Sequence, residues 1–279
     1  MQGGLREGRS GFAGRVVADV NRRKPTVGVA LGAGAARGLA HIGVLKVLER
    51  EGIPIDFIAG TSAGAVIGGI YAATRNLRLM ERLAQHIRWD YLVDLAIPKM
   101  GFVAGEKAVR FLDILTHGKE FKDLLIPFAA VACDIERGEE VVLSSGKVAP
   151  AIRASMSIPG IVAPIRIGGR LLVDGAVLNR VPSNVVRNRG MDLVIAVSIG
   201  GKMPCDRVRN IFEVITRSIE LMELEILESR MVDADVVIEP DVMEIGAMRL
   251  DLAAELISRG ERAAEGALPK IKRLLEEVS

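Results

Sequence analysis

The sequence predicts an α/β fold built on a mainly parallel sheet, and three observations carry that prediction. Short β-branched and apolar runs of strand length recur from Thr26 onward. Stretches with helical periodicity separate them, and turns rich in glycine and alanine stand where the first two strands give way to helices.

Taken in order, "TVGVALG" reads as the first strand and "LAHIGVLKVLERE" as the helix after it. "PIDFIAG" is the second strand, followed by the apolar helix "AGAVIGGIYAATR". Residues 77–118 are richer in charge and helical in period, which predicts a helical excursion before the sheet resumes at "LIPFAAVACDI". "EEVVLSSG", "GRLLVDGAV", "MDLVIAVSIG" and "ADVVIEP" supply further strands, with a short helix or turn over residues 149–157. Residues 208–232 and 250–278 read as helices. The first carries Ile211, Ile215, Ile219, Met222 and Ile226 at three- and four-residue spacing, a stripe expected to pack against the sheet. Residues 1–25 are rich in glycine and arginine and are expected to form a mobile basic arm, with a short basic helix around residues 12–21. Residues 26–279 are expected to form one catalytic-size domain.

Composition narrows the function. With 37 basic and 35 acidic residues and 4% aromatics, the chain lacks the charge excess and stacking surface of a nucleic-acid binder. The two cysteines, Cys133 and Cys205, make no disulfide framework and neither has a Cys or His neighbour at metal-ligand spacing, so no metal and a cytoplasmic setting are expected. No window has the length and apolarity of a signal peptide or a membrane span.

Three places can carry chemistry. The run "GAGAARG" (Gly32, Gly34, Ala35, Ala36, Arg37 and Gly38 within it) follows a strand and precedes a helix, where backbone N–H groups can face an anion. It departs from the dinucleotide pattern, since Arg37 stands where G-x-G-x-x-G needs its last glycine, and it lacks the Gly-Lys-Ser/Thr ending of a P-loop. A purely structural turn remains open for it. "GTSAG" places Ser62 between Gly60 and Gly64 on a strand-to-helix turn, with the Ala63 N–H beside the serine. The usual histidine base is disfavoured: none of the three histidines, His41, His86 and His117, comes late in the chain. His41 is expected to be packed or capping. In "LLVDGAV", Asp174 ends a strand, and Gly175 and Ala176 after it let a substrate or another backbone approach. A carboxylate beside a serine hydroxyl can take its proton, although an isolated Asp-Gly also reads as a turn.

In their order, "LGAGAARGLAHIGVLKVLE", "GTSAGA", "ASMSIPGIVAPI" and "DGAVLNRVP" resemble the patatin-like phospholipase family, particularly its bacterial members related to the neuropathy target esterase catalytic domain. The resemblance covers roughly residues 26–199. It implies a three-layer α/β/α fold and a Ser–Asp dyad with Ser62 as nucleophile and Asp174 as base. It implies an oxyanion hole formed by N–H groups of the 32–38 loop, assigned to Gly34 and Ala35 with Ala63 beside them. The expected reaction is hydrolysis of a phospholipid, lysophospholipid or other fatty-acyl ester without a cofactor, with peripheral contact to a membrane surface. Ala33 and Ala35 stand where many members carry glycine, so a positive φ at either would strain the loop. Arg37 matches the family's basic residue, either orienting the loop or meeting a lipid phosphate. A regulatory or scaffold protein on the same fold, and an acyltransferase, are the alternative readings.

Overall fold

The computed structural model describes residues 24–91, 93–94, 100–200, 208, 211–230 and 233–278. The expected N-terminal arm lies outside the described residues apart from Lys24 and Pro25.

In chain order the elements are β1 (Val27–Leu31), α1 (Ala40–Arg50), β2 (Phe57–Thr61), α2 (Ala63–Thr74), α3 (Leu77–His86), β3 (Gly101–Val103) and α4 (Glu106–Leu115). Then follow β4 (Phe128–Asp134), β5 (Glu139–Leu143), α5 (Val148–Ser155), β6 (Gly160–Val162), β7 (Ile165–Ile167) and β8 (Arg170–Asp174). The chain closes with α6 (Ser183–Arg187), β9 (Leu193–Val197), α7 (Ile211–Arg230), β10 (Val236–Ile238) and α8 (Ala253–Val278).

The main sheet has eight strands in the order β10-β9-β1-β2-β4-β8-β7, with β5 also paired to β4. Pairs from β10 through β4 are parallel, and β4 pairs antiparallel with β5 and β8. Alternation along β1 sets the layers. Val27, Val29 and Leu31 join the larger apolar cluster with α1, α2 and α8, while Ala30 joins Val181, Val185 and Val186 on the opposite face. Helices thus lie on both faces of the buried central strands β1, β2, β4 and β9, a three-layer α/β/α arrangement.

Two expectations are corrected. Within the 77–118 excursion, Gly101–Val103 is a strand paired in parallel with Gly160–Val162 to form a separate two-stranded sheet. Three residues are too few to show a period, and the partner is distant in sequence. The α7 stripe is not core throughout: Ile211 and Met222 are 60% and 59% exposed, while Ile215, Ile219 and Ile226 are half-buried. The helix packs by a face turned away from Ile211, Val214, Leu221 and Met222. Among the described residues no helix is long and apolar enough to cross a membrane.

Candidate active site

Strand register brings Ser62 and Asp174 together. Thr61, the last residue of β2, aligns with Val131 of β4, and the next β4 residue, Ala132, aligns with Asp174 at the end of β8. One step beyond Thr61 therefore meets Asp174 across β4. The Ser62 hydroxyl faces the Asp174 carboxylate and favours its ionised form, and both residues are buried, at 7% and 3% exposed.

Ser62 sits on a sharp turn with φ 53° and ψ −119°, a conformation that costs a serine ~1–3 kcal/mol and persists only where its surroundings enforce it. They do so here. The Ser62 N–H donates to Ser155 Oγ at 2.9 Å, and that hydroxyl donates to Val131 O at 2.5 Å, so α5 and β4 pin the turn from behind. Gly64 lies so close to β1 that a Cβ there would overlap the Leu31 carbonyl, which explains the glycine two residues after the serine. Ala63 opens α2, where the first N–H groups have no intrahelical partner, and its N–H makes no hydrogen bond among the described residues.

Asp174 Oδ1 accepts the Ala176 N–H at 2.9 Å, so the residue after Gly175 fixes the carboxyl group. Burial raises its pKa to about 6, against the hydrogen bonds from Ala176 and Ser62 and the charge of Arg180, which favour the ionised form. A carboxylate of that basicity is a far better proton acceptor than an exposed aspartate.

The 32–38 loop is held by some of its N–H groups and presents others. Gly32 donates to Val197 O at 3.0 Å, Ala33 to Arg180 O at 2.9 Å and Ala36 to Ala247 O at 2.9 Å. Those of Gly34 and Ala35 make no hydrogen bond among the described residues. Ala35 has φ 48°, so the strain anticipated for an alanine in this loop falls on Ala35 and not on Ala33. Arg37 is buried, with Nε donating to Ile245 O at 2.6 Å and Nη1 paired with Glu220 at 2.6 Å. Two of its guanidinium nitrogens are thus taken by protein partners. Gly38 lies so near Ala63 that a Cβ would strike the alanine methyl, which seats the loop directly against the Ser62 turn.

None of the three histidines is hydrogen-bonded to Ser62 or Asp174 among the described residues. His41 is fully buried in α1, its Nε2 donating to Gly32 O at 2.8 Å, and burial lowers its pKa to about 4 despite that bond. It is a neutral anchor of the loop. His86 and His117 are exposed.

Sequence reasoning missed Arg180 and Glu223. Arg180 is buried in the "NRVP" run and pairs with Glu223 of α7. The signal was faint: an arginine shortly after a motif aspartate, and one glutamate among several charges in an amphipathic helix.

The family model described as patatin-like phospholipase matches residues 29–186, more than half of the chain. An uncharacterized NTE family protein of Mycobacterium tuberculosis is 39% identical over 186 residues, covering 63% of this chain and 50% of that protein. The lysophospholipase NTE1 of Candida albicans is 34% identical over 180 residues, covering 62% of this chain and 13% of that protein. The chain thus spans about half the length of the mycobacterial relative and a small part of the yeast one. Among solved structures, VipD from Legionella pneumophila superposes with a TM-score of 0.62 over 91% of this chain and 67% of VipD, at 12% identity, a likeness of fold.

Proposed function

Because the chain belongs to the patatin-like phospholipase family, we propose that it is a lipid acyl hydrolase that cleaves carboxylic esters through a Ser62–Asp174 dyad and an acyl-enzyme. The observation that supports this reading is the buried juxtaposition of Ser62 and Asp174, together with N–H groups of Gly34, Ala35 and Ala63 that make no hydrogen bond among the described residues.

In the proposed cycle Asp174 accepts the Ser62 proton as Oγ attacks the ester carbonyl. The carbonyl oxygen becomes an anion held by the three N–H groups, each of which lowers the barrier by ~3–4 kcal/mol if it acts as such donors do elsewhere. Collapse breaks the ester C–O bond, and the proton on Asp174 passes to the leaving alcohol. Water then attacks acyl-Ser62 with Asp174 again as base, releasing the fatty acid and restoring the hydroxyl. Apart from the ester and water, every step of this cycle draws on protein groups.

The substrate class follows from the family and from the lysophospholipase name of the Candida albicans relative: a phospholipid, lysophospholipid or similar fatty-acyl ester. Such a substrate resides in a lipid surface, and the outward Ile211, Val214, Leu221 and Met222 of α7 offer an apolar face for peripheral contact with one.

The test is covalent. A fluorophosphonate should label Ser62, and Ser62→Ala and Asp174→Asn should each reduce hydrolysis of a lysophosphatidylcholine and phospholipid panel by about 10³-fold or more. Full activity in Ser62→Ala, or labelling elsewhere, would remove the dyad from the chemistry.

A further inference from the structure

Arg180 follows Asp174 by six residues and joins both halves of the site. Its carbonyl accepts the Ala33 N–H at 2.9 Å, and its Nη2 donates to Ile199 O at 2.9 Å. The Ile199 side chain in turn backs the loop, since a Cβ on Gly34 would stand 2.6 Å from Ile199 Cγ2. Nη1 pairs with Glu223, and Nε has no partner among the described residues. One helical turn earlier on α7, Glu220 pairs with Arg37. Two carboxylates on one helix face therefore hold the two arginines whose bonds reach the loop and its backing, and one of these arginines, Arg180, also acts on Asp174 through its charge.

We propose that Arg180 and Glu223 are positioning residues: Glu223 holds the Arg180 guanidinium, and Arg180 ties the Asp174 base to the loop that carries the Gly34 and Ala35 N–H groups. This inference rests on the dyad proposed above.

Its consequences are electrostatic as well as mechanical. Asp174 is faced by the Ser62 hydroxyl, the Ala176 N–H and the Arg180 charge, and its own charge is felt by Cys133 of β4 and Glu223 of α7. Burial pushes Glu223 up to about 7; Arg180 opposes this, and the charges of Asp174 and Glu220 add to it. Acidification thus neutralises Glu223 and Asp174 in overlapping steps that belong to the pair. The acid limb of the reaction carries two protonations, one loosening Arg180 and one disabling the base.

The experiment is the rate of fluorophosphonate labelling of Ser62 between pH 5 and pH 9 in the full chain and three variants. Wild type should fall on the acid side with a slope approaching two. Glu223→Gln should lower the plateau roughly 10- to 100-fold through misplacement of the loop and leave a single-proton limb at a lower midpoint. Arg180→Met removes a positive charge from beside Asp174, so its limb should move up by about one pH unit. Arg180→Lys keeps the charge and loses the fork, so its midpoint should stay while its plateau falls.

Loss of rate in Glu223→Gln or Arg180→Met with an unchanged midpoint and slope would reduce the pair to structural support and overturn the inference, as would variants that label like wild type. If Arg180→Met does not fold, Arg180→Lys and Glu223→Gln still decide it. Absence of labelling in wild type would instead overturn the dyad, and this inference with it.

Discussion

At the scale of single residues, the site spends stability on a charge held out of water. The Asp174 carboxyl has an ordinary value of 3.8 and is raised to about 6, chiefly by burial. The folded chain therefore binds a proton at Asp174 between about pH 4 and pH 6 that the unfolded chain has lost. Stability falls as pH rises through that window and stays lower above it. Asparagine keeps the acceptor for the Ala176 N–H and carries no charge. Asp174→Asn is accordingly expected to be more stable than wild type at pH 8 by roughly 2–3 kcal/mol, with the difference gone near pH 4. Urea unfolding at the two pH values measures this, and equal stability at pH 8 would contradict a buried, ionised aspartate. Ser62 and Ala35 add backbone strain of the same character, since both sit at positive φ without being glycine.

At the scale of elements, the parts legible in the sequence were those with local signals. The strands before Ser62 and Asp174 announce themselves by β-branched runs ending in small residues, and the turn chemistry fixes where each side chain emerges. What stayed hidden depends on distant partners. Gly101–Val103 is a strand only because Gly160–Val162 lies beside it, and Ile211 and Met222 share an apolar spacing with Ile215 yet face outward. Periodicity identifies α7 as amphipathic but does not say which part of its stripe is covered. Arg180 and Glu223 escaped for the same reason, being paired across 43 residues of chain.

The crossing of α1 and α8 gives an element-scale prediction. A Cβ on Gly260 would overlap the Ala40 carbonyl, and one on Gly43 would overlap the Ile257 carbonyl, so the two backbones touch. Gly266, further along the same helix, has nothing near its missing Cβ. Gly260→Ala should destabilise the chain by about 1–3 kcal/mol by forcing the helices apart. Gly266→Ala should be neutral or stabilise by up to ~1 kcal/mol through helix propensity. The denaturant midpoint should therefore fall for Gly260→Ala and hold or rise for Gly266→Ala, and a common fall would discount the crossing as the cause.

At the scale of the whole molecule, the family match and the structural unit have different ends. The match stops at residue 186, yet β9 pairs with β1 in the middle of the sheet, β10 extends it, and α8 covers α1. Val236, Ile238, Leu256, Ile257 and Ile271 are all buried in the larger apolar cluster. At ~1.5–3 kcal/mol for each side chain removed from water, these five alone amount to roughly 10 kcal/mol, comparable to the whole net stability of a typical domain. α7 lies on the same later stretch and brings Glu220 and Glu223 to the catalytic loops. A chain ended after residue 232 retains Ser62, Asp174 and every N–H group assigned to the oxyanion, and still should not form a cooperative fold. Its circular dichroism should lack a sharp thermal transition, and fluorophosphonate labelling should be lost with it. Retention of both would mean that β10 and α8 are accessory to the fold, and that the sheet through β9 suffices to hold the Ser62 turn against Asp174.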